Sequence, residues 1–261
     1  ALAGFFYWCF GDDWISIGIF TACIVFPVSI LLEGSLTKTE RDRIFVIYII
    51  AFFVIFFWAA YEQAGASLTL FASRADRPRH PGVGNARSWI QSFNPFFVVI
   101  LAAIMPAMGA LGKRGMEPAS PTKQAIGLLL LSLGYLVICL GGERCSAGHQ
   151  GESHLADGAL LHPYHGEICL SPIGLSMVNK LTPIRFASLM MGIWYLSTAT
   201  ANKFAGTLSG LYPEAGKVKS YWHRIETMYD FFMVFVVMSA TASLILFLLS
   251  KKLQKMMHGV E

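Results

Sequence analysis

Long uncharged apolar windows separated by short polar loops recur along the whole chain. Uncharged stretches run from Trp14 to Leu32, Ile44 to Tyr61, Ser88 to Gly112, Gln124 to Gly142 and Phe231 to Ser250. Two more carry a single charge each: Gly158 to Asn179 contains Glu167, and Phe186 to Pro213 contains Lys203. Each window is about 18 residues or longer, which lets a helix cross the hydrocarbon of a bilayer. The pattern predicts seven membrane helices, preceded by an apolar fragment from Ala1 to Gly11. A spanning β-barrel would instead show alternating segments about ten residues long, so the expected class is an all-α polytopic membrane protein.

Composition sharpens this expectation. The 261 residues are 55% hydrophobic and 14% charged, well below the quarter or so of charged residues usual in soluble domains. The net charge of +4 comes with no basic run interleaved with aromatics, so no nucleic-acid partner is expected. The five cysteines, Cys9, Cys23, Cys139, Cys145 and Cys169, lie mostly inside apolar windows and imply no disulfide framework. Cys139, Cys145, His149, His154, His162 and His165 lack the tight pair spacing of zinc ligands, so no metal is expected. No glycine-rich phosphate cradle follows a strand, which argues against an ATP-driven pump; no catalytic residue, enzyme activity or cofactor is predicted. The chain has no initiator Met and opens inside an apolar run, as a piece of a longer protein would.

Loop charge sets an orientation. Lys38, Arg41, Arg43, Lys113, Arg114, Lys123, Lys180, Arg185, Lys251, Lys252 and Lys255 fall on one side of an alternating topology, eleven against eight on the other. Positive loops favour the cytoplasm, and the run "SKKLQKMMHGVE" directly follows a long apolar window, so the C-terminus is expected inside.

Ionisable and amide groups within the windows are the functional candidates, because each is costly in hydrocarbon unless paired or hydrated. Glu62 follows eighteen uncharged residues in "FFVIFFWAAYEQAGASLTLFA", so a neutralising partner must come from another helix. It is either a functional carboxylate or half of an architectural ion pair. Glu167 stands close to Ser171 and Pro172 in "GEICLSPIGLSM", where proline frees backbone carbonyls; the other reading is a helix-end carboxylate reaching the interface. Asn94, directly before Pro95, either hydrogen-bonds a substrate or bridges the carbonyl that Pro95 frees. Trp194 lines a cavity or belongs to an interfacial belt. Ser197, Thr198, Thr200, Asn202 and Gly206 suit close helix packing as well as a polar pathway, and Lys203 either snorkels or pairs with a carboxylate.

Four segments in order, "ERDRIFVIYIIAFFVIFFWAAYEQAGASLTLFA", "SFNPFFVVILA", "GEICLSPIGLSMVNKLTP" and "GIWYLSTATANKFAG", resemble the second half of the proton-coupled oligopeptide transporters of the major facilitator superfamily. The resemblance covers nearly the whole chain. It implies the C-terminal six-helix bundle of a major facilitator fold, residues 37–261, preceded by inter-bundle linker helices of the bacterial type in residues 1–36. It also implies a proton-driven symporter of di- and tripeptides in the cell inner membrane. In that setting Asn94 and Glu167, with Ser171 beside them, hold the peptide's amino end. Trp194 lines the pocket, and Glu62 is the carboxylate that pairs with basic residues of the first bundle and links gating to protonation. Tyr61 stands where some relatives carry a second carboxylate. The missing N-terminal bundle is then an obligatory partner alongside the peptide and the bilayer. The alternatives are a non-transporting membrane remnant or interaction module, and a facilitator for another solute on the same scaffold.

One segment departs from the family pattern. Residues Glu143 to His165, "ERCSAGHQGESHLADGALLHPYH", stand where the family has a short loop and an apolar half-helix. Shifted by one base, the codons before Glu167 can read Trp-Leu-Thr-Ala-Leu-Tyr-Phe-Ile-His-Thr-Met-Gly, an ordinary membrane half-helix. Part of Glu143 to Gly166 is thus either frameshifted or a genuine variant loop.

Overall fold

The computed structural model describes residues 2–10, 13–64, 67, 118–146, 173–212, 225 and 227–260. These residues form helices joined by turns: α1 (Leu2–Phe10), α2 (Trp14–Leu31), α3 (Lys38–Tyr61), α4 (Ser120–Ser146), α5 (residues 173–181), α6 (Ala187–Ser209) and α7 (Met228–Met256). Short 3-10 turns cover Glu62–Ala64 and Ile184–Phe186. Among the described residues α2, α3, α4 and α7 are long and apolar enough to cross a membrane. α6 has 23 residues, with Ser197, Thr200, Asn202 and Lys203 along its length.

α3, α4 and α7 run past the uncharged windows that predicted them, whereas α2 ends at Leu31 and α6 keeps within the window from Phe186 to Pro213. α3 starts at Lys38 rather than Ile44, and α7 starts at Met228 and ends at Met256 rather than running from Phe231 to Ser250. Reciprocal caps explain the two early starts. The Glu40 N–H donates to Thr37 Oγ1 at 3.3 Å while the Thr37 N–H donates to Glu40 Oε2 at 2.9 Å. Thr227 and Asp230 repeat the arrangement at 3.1 Å in both directions. Each cap satisfies amides that open a helix and is worth about 0.5–2 kcal/mol.

α3 is central and α2 peripheral: 61% of the apolar window of α3 is buried inside the protein, against 17% for α2. Among the described residues α3 touches α6, α7, α4 and α2, and α4 with α7 forms the most extensive helix pair. Small polar residues let that pair close. Ser132 Oγ donates to Val236 O at 3.0 Å and Ser243 Oγ to Ala125 O at 2.7 Å. The Tyr135 ring lies 5.2 Å from that of Phe235 and 6.1 Å from that of Phe232. Phe247, Leu248 and Leu244 on α7 remain exposed, as acyl-chain contact requires.

At one end of the bundle the start of α3 meets the end of α7 and the turn before α6. Arg43 Nε donates to Met257 O at 3.2 Å, His258 Nε2 lies 2.9 Å from Asp42 Oδ2, and Arg185 Nη2 lies 3.1 Å from Glu40 Oε2. The basic loops around residues 38–43, 185 and 251–258, assigned to one face from the sequence, therefore share one end. The start of α4 and the end of α5 join it, enclosing with the chain terminus a cavity of about 290 Å³ lined by Lys123, Ser176, Lys180 and Met257.

Candidate functional site

Of the residues singled out in the sequence, Asn94, Glu167 and Ser171 lie outside the described residues, as does residues 147–166 of the divergent segment. Glu62 and Trp194 are described.

Glu62 caps α3 and opens the 3-10 turn. Its N–H donates to Ala60 O and Trp58 O, and its side chain is exposed at the bundle surface, at the end opposite the Arg43–Met257 contact. The residues around it are fixed from two sides. Tyr135 on α4, fully buried, donates its hydroxyl to Ala60 O at 2.6 Å. Gln63, also fully buried, faces α6, where its Nε2 donates to Ala205 O at 3.0 Å. An exposed carboxylate thus directly precedes an amide sealed in the core. The sequence reading missed Gln63; its signal was an amide adjoining an intramembrane carboxylate at a helix end.

Trp194 is buried, 5% exposed, so it does not stand in an interfacial belt. Its ring lies on Gly174 of α5, on the helix segment that continues the Glu167–Pro172 motif. A Cβ added at Gly174 would lie 2.3 Å from Trp194 Cζ2 and 2.7 Å from Cη2, with Gln124 Nε2 at 3.3 Å. Glycine is what lets α4, α5 and α6 meet around this indole. On the same helix Ser197, Thr200 and Ala201 are buried, whereas Asn202 and Gly206 are exposed. Thr200 Oγ1 lies 2.9 Å from Cys23 Sγ, so Thr200 packs α6 on α2, while Ser197 Oγ donates to Trp194 O of its own helix at 2.6 Å.

Lys203 pairs rather than snorkels alone: its Nζ lies 2.5 Å from Asp13 Oδ2. Asp13 is the N-cap of α2 and also accepts from the Ser16 N–H at 3.1 Å and the Ser16 hydroxyl at 2.8 Å. The hydrogen bond from Lys203, followed by those from Ser16, holds the Asp13 carboxyl down at about 2. This clasp ties α2 to α6. Among the described residues no group of three or more His, Cys, Asp or Glu side chains could hold a metal.

A bundle of apolar helices with an exposed carboxylate at the end of its central helix and polar side chains along the helix beside it belongs to the class of polytopic membrane proteins. The chain belongs to the POT family, whose PTR2 model matches residues 14–225. It is 32% identical over 238 residues to the uncharacterized transporter YclF of Bacillus subtilis, covering 91% of this chain and 46% of that protein. It is 31% identical to dipeptide and tripeptide permease A of Escherichia coli, covering 83% and 43%. Among solved structures, a mutant peptide transporter POT in complex with alafosfalin superposes with a TM-score of 0.78 at 27% identity, covering 94% of this chain and 48% of that one. The peptide transporter POT in complex with sulfate gives 0.74 at 27% identity, covering 97% and 50%. The chain spans about half the length of the relatives it matches.

Proposed function

We propose that this chain is the C-terminal half of a proton-driven symporter of di- and tripeptides in the cell inner membrane, with its C-terminus in the cytoplasm. The observation that carries the reading is a match over most of this chain to slightly under half of a dipeptide and tripeptide permease. Residues 1–36 act as linker helices and residues 37–261 as the second bundle.

Glu167 and Asn94 take the peptide's ammonium end, because a carboxylate and an amide oxygen complement its charge and its N–H donors. Ser171 adds a hydroxyl to the same site and Trp194 walls it. Glu62, exposed at the end of α3, pairs with a basic residue of the first bundle in one state and is protonated in the other, so a proton is exchanged as the bundles rock. The first bundle supplies the partner of the peptide carboxylate; no cofactor beyond the proton gradient is needed.

The test is dipeptide uptake by the intact protein in proteoliposomes under an imposed pH gradient, with tripeptides as competitors. Glu167→Gln weakens peptide affinity at least tenfold, and Glu62→Gln removes pH-driven uptake while leaving peptide exchange. Uptake that both variants leave unchanged overturns the assignment.

A further inference from the structure

Gln63 uses both ends of its buried amide twice. Nε2 donates to Ala205 O at 3.0 Å and to Ala59 O at 3.4 Å. Oε1 accepts from Ser67 Oγ at 2.7 Å and from Ser209 Oγ at 3.0 Å. The orientation of the amide is forced, since the two carbonyls can only accept and must therefore face the nitrogen. Two of these contacts, Ala205 and Ser209, belong to α6, so a side chain on the 3-10 turn that follows α3 is bolted to a neighbouring helix.

The bolt sits where α3 changes from α-helix to 3-10 turn, at Glu62–Ala64. A helix end is free to unwind and to rotate unless something holds it. With Gln63 fixed on α6 and Ala60 O taken by Tyr135 of α4, rotation of this turn about the helix axis is blocked from two sides. Successive helical residues point about 100° apart. In the 3-10 turn the step is about 120°, and with Gln63 held inward the neighbouring Glu62 stands exposed. Ser209 adds a choice: its single proton has two acceptors, Gln63 Oε1 at 3.0 Å and Ala205 O at 2.9 Å, so it can leave the amide without losing a hydrogen bond.

We infer that Gln63, locked by Ala205 and Ser209, is the positioning residue that presents Glu62 on the bundle surface. This rests on the proposed proton-coupling role of Glu62 for its functional consequence but not for its geometry. Two readouts separate them. The first uses Glu62→Cys in the intact protein and the rate at which a water-soluble methanethiosulfonate modifies its thiol, with and without Gln63→Leu. The second uses native Glu62 and compares pH-driven dipeptide uptake with peptide exchange.

Gln63→Leu is expected to slow thiol modification about fivefold or more and to lower pH-driven uptake about tenfold, with the KM for peptide and the exchange rate within twofold of wild type. Ser209→Ala moves both readouts the same way by less, and Ser209→Thr, which keeps the hydroxyl, restores them. Should Gln63→Leu fail to fold, the Ser209 pair is read in its place. Unchanged thiol reactivity overturns the inference. If the intact protein takes up no peptide at any pH, the transport reading fails, while the thiol rate still decides the positioning role.

Discussion

The indole of Trp194 rests directly on the backbone of Gly174, so close that a methyl group at residue 174 would overlap the ring at 2.3 Å. A rigid, buried indole cannot yield as the tip of a lysine would, so the helices must separate or the ring must leave its rotamer. Gly174→Ala is therefore expected to destabilise the protein by about 1–3 kcal/mol. The clashing atoms belong to the outer ring, which phenylalanine lacks. Trp194→Phe should recover part of the loss, giving a coupling of about 0.5–3 kcal/mol in a double-mutant cycle read by denaturant titration in detergent. Additive single effects would mean the contact does not exist.

The Asp13–Lys203 clasp predicts an acid limit on the docking of α2. A carboxyl that titrates near 2 when docked, against 3.8 when free, stabilises the docked state fully above about pH 4. The contribution is lost as pH falls from about 4 to about 2. Melting temperature in detergent should drop across that window in the wild type. In Asp13→Asn the starting value should be lower and this part of the drop absent. An identical acid profile in the variant would show that Asp13 gains nothing from Lys203.

Tyr135 joins two functions that can be separated by one atom. Its ring stacks with Phe235 and Phe232, and its hydroxyl satisfies Ala60 O at the end of α3. Tyr135→Phe keeps the stack and removes one hydrogen bond from Ala60 O, which still accepts from the Glu62 N–H, a loss of about 0.5–1.5 kcal/mol. Tyr135→Ala adds a cavity and is expected to lose about 3–5 kcal/mol. The difference between the two, measured by thermal unfolding in one detergent, gives the share of the ring.

The helices of this fold were legible because a bilayer tolerates little but long apolar runs, and α2, α3, α4 and α7 follow them. Their ends were less so. Thr37 with Glu40, and Thr227 with Asp230, carry the capping spacing in the sequence, yet a search for uncharged windows stops at the first charge. Alternating loops put Arg43, Arg185 and the run after Ser250 on one side, and Arg43 and Arg185 do meet the ends of α7 and α3 there; Lys113 and Arg114 of the same set lie outside the described residues. The clasp was not, because Asp13 and Lys203 are separated by 190 positions and nothing local names the partner. Gln63 was hidden in plain view: a glutamine reads as polar surface until its burial is known.

Residues 143–166 yield the last prediction, from codons rather than contacts. An apolar half-helix is needed before Glu167 if that carboxylate is to sit within a membrane span, and Asp157, Gly158, Pro163, His162 and His165 are poor material for one. A one-base shift turns His162, Pro163, Tyr164 and His165, as CAT, CCA, TAC and CAT, into Ile-His-Thr-Met. Reads across codons 143–166 are expected to show one base gained or lost upstream and compensated before Glu167. Replacing Leu155 to Gly166 by the shifted reading should also raise the amount of intact protein inserted in the membrane. Reads that confirm the printed frame, together with unchanged insertion, would establish the segment as a variant loop.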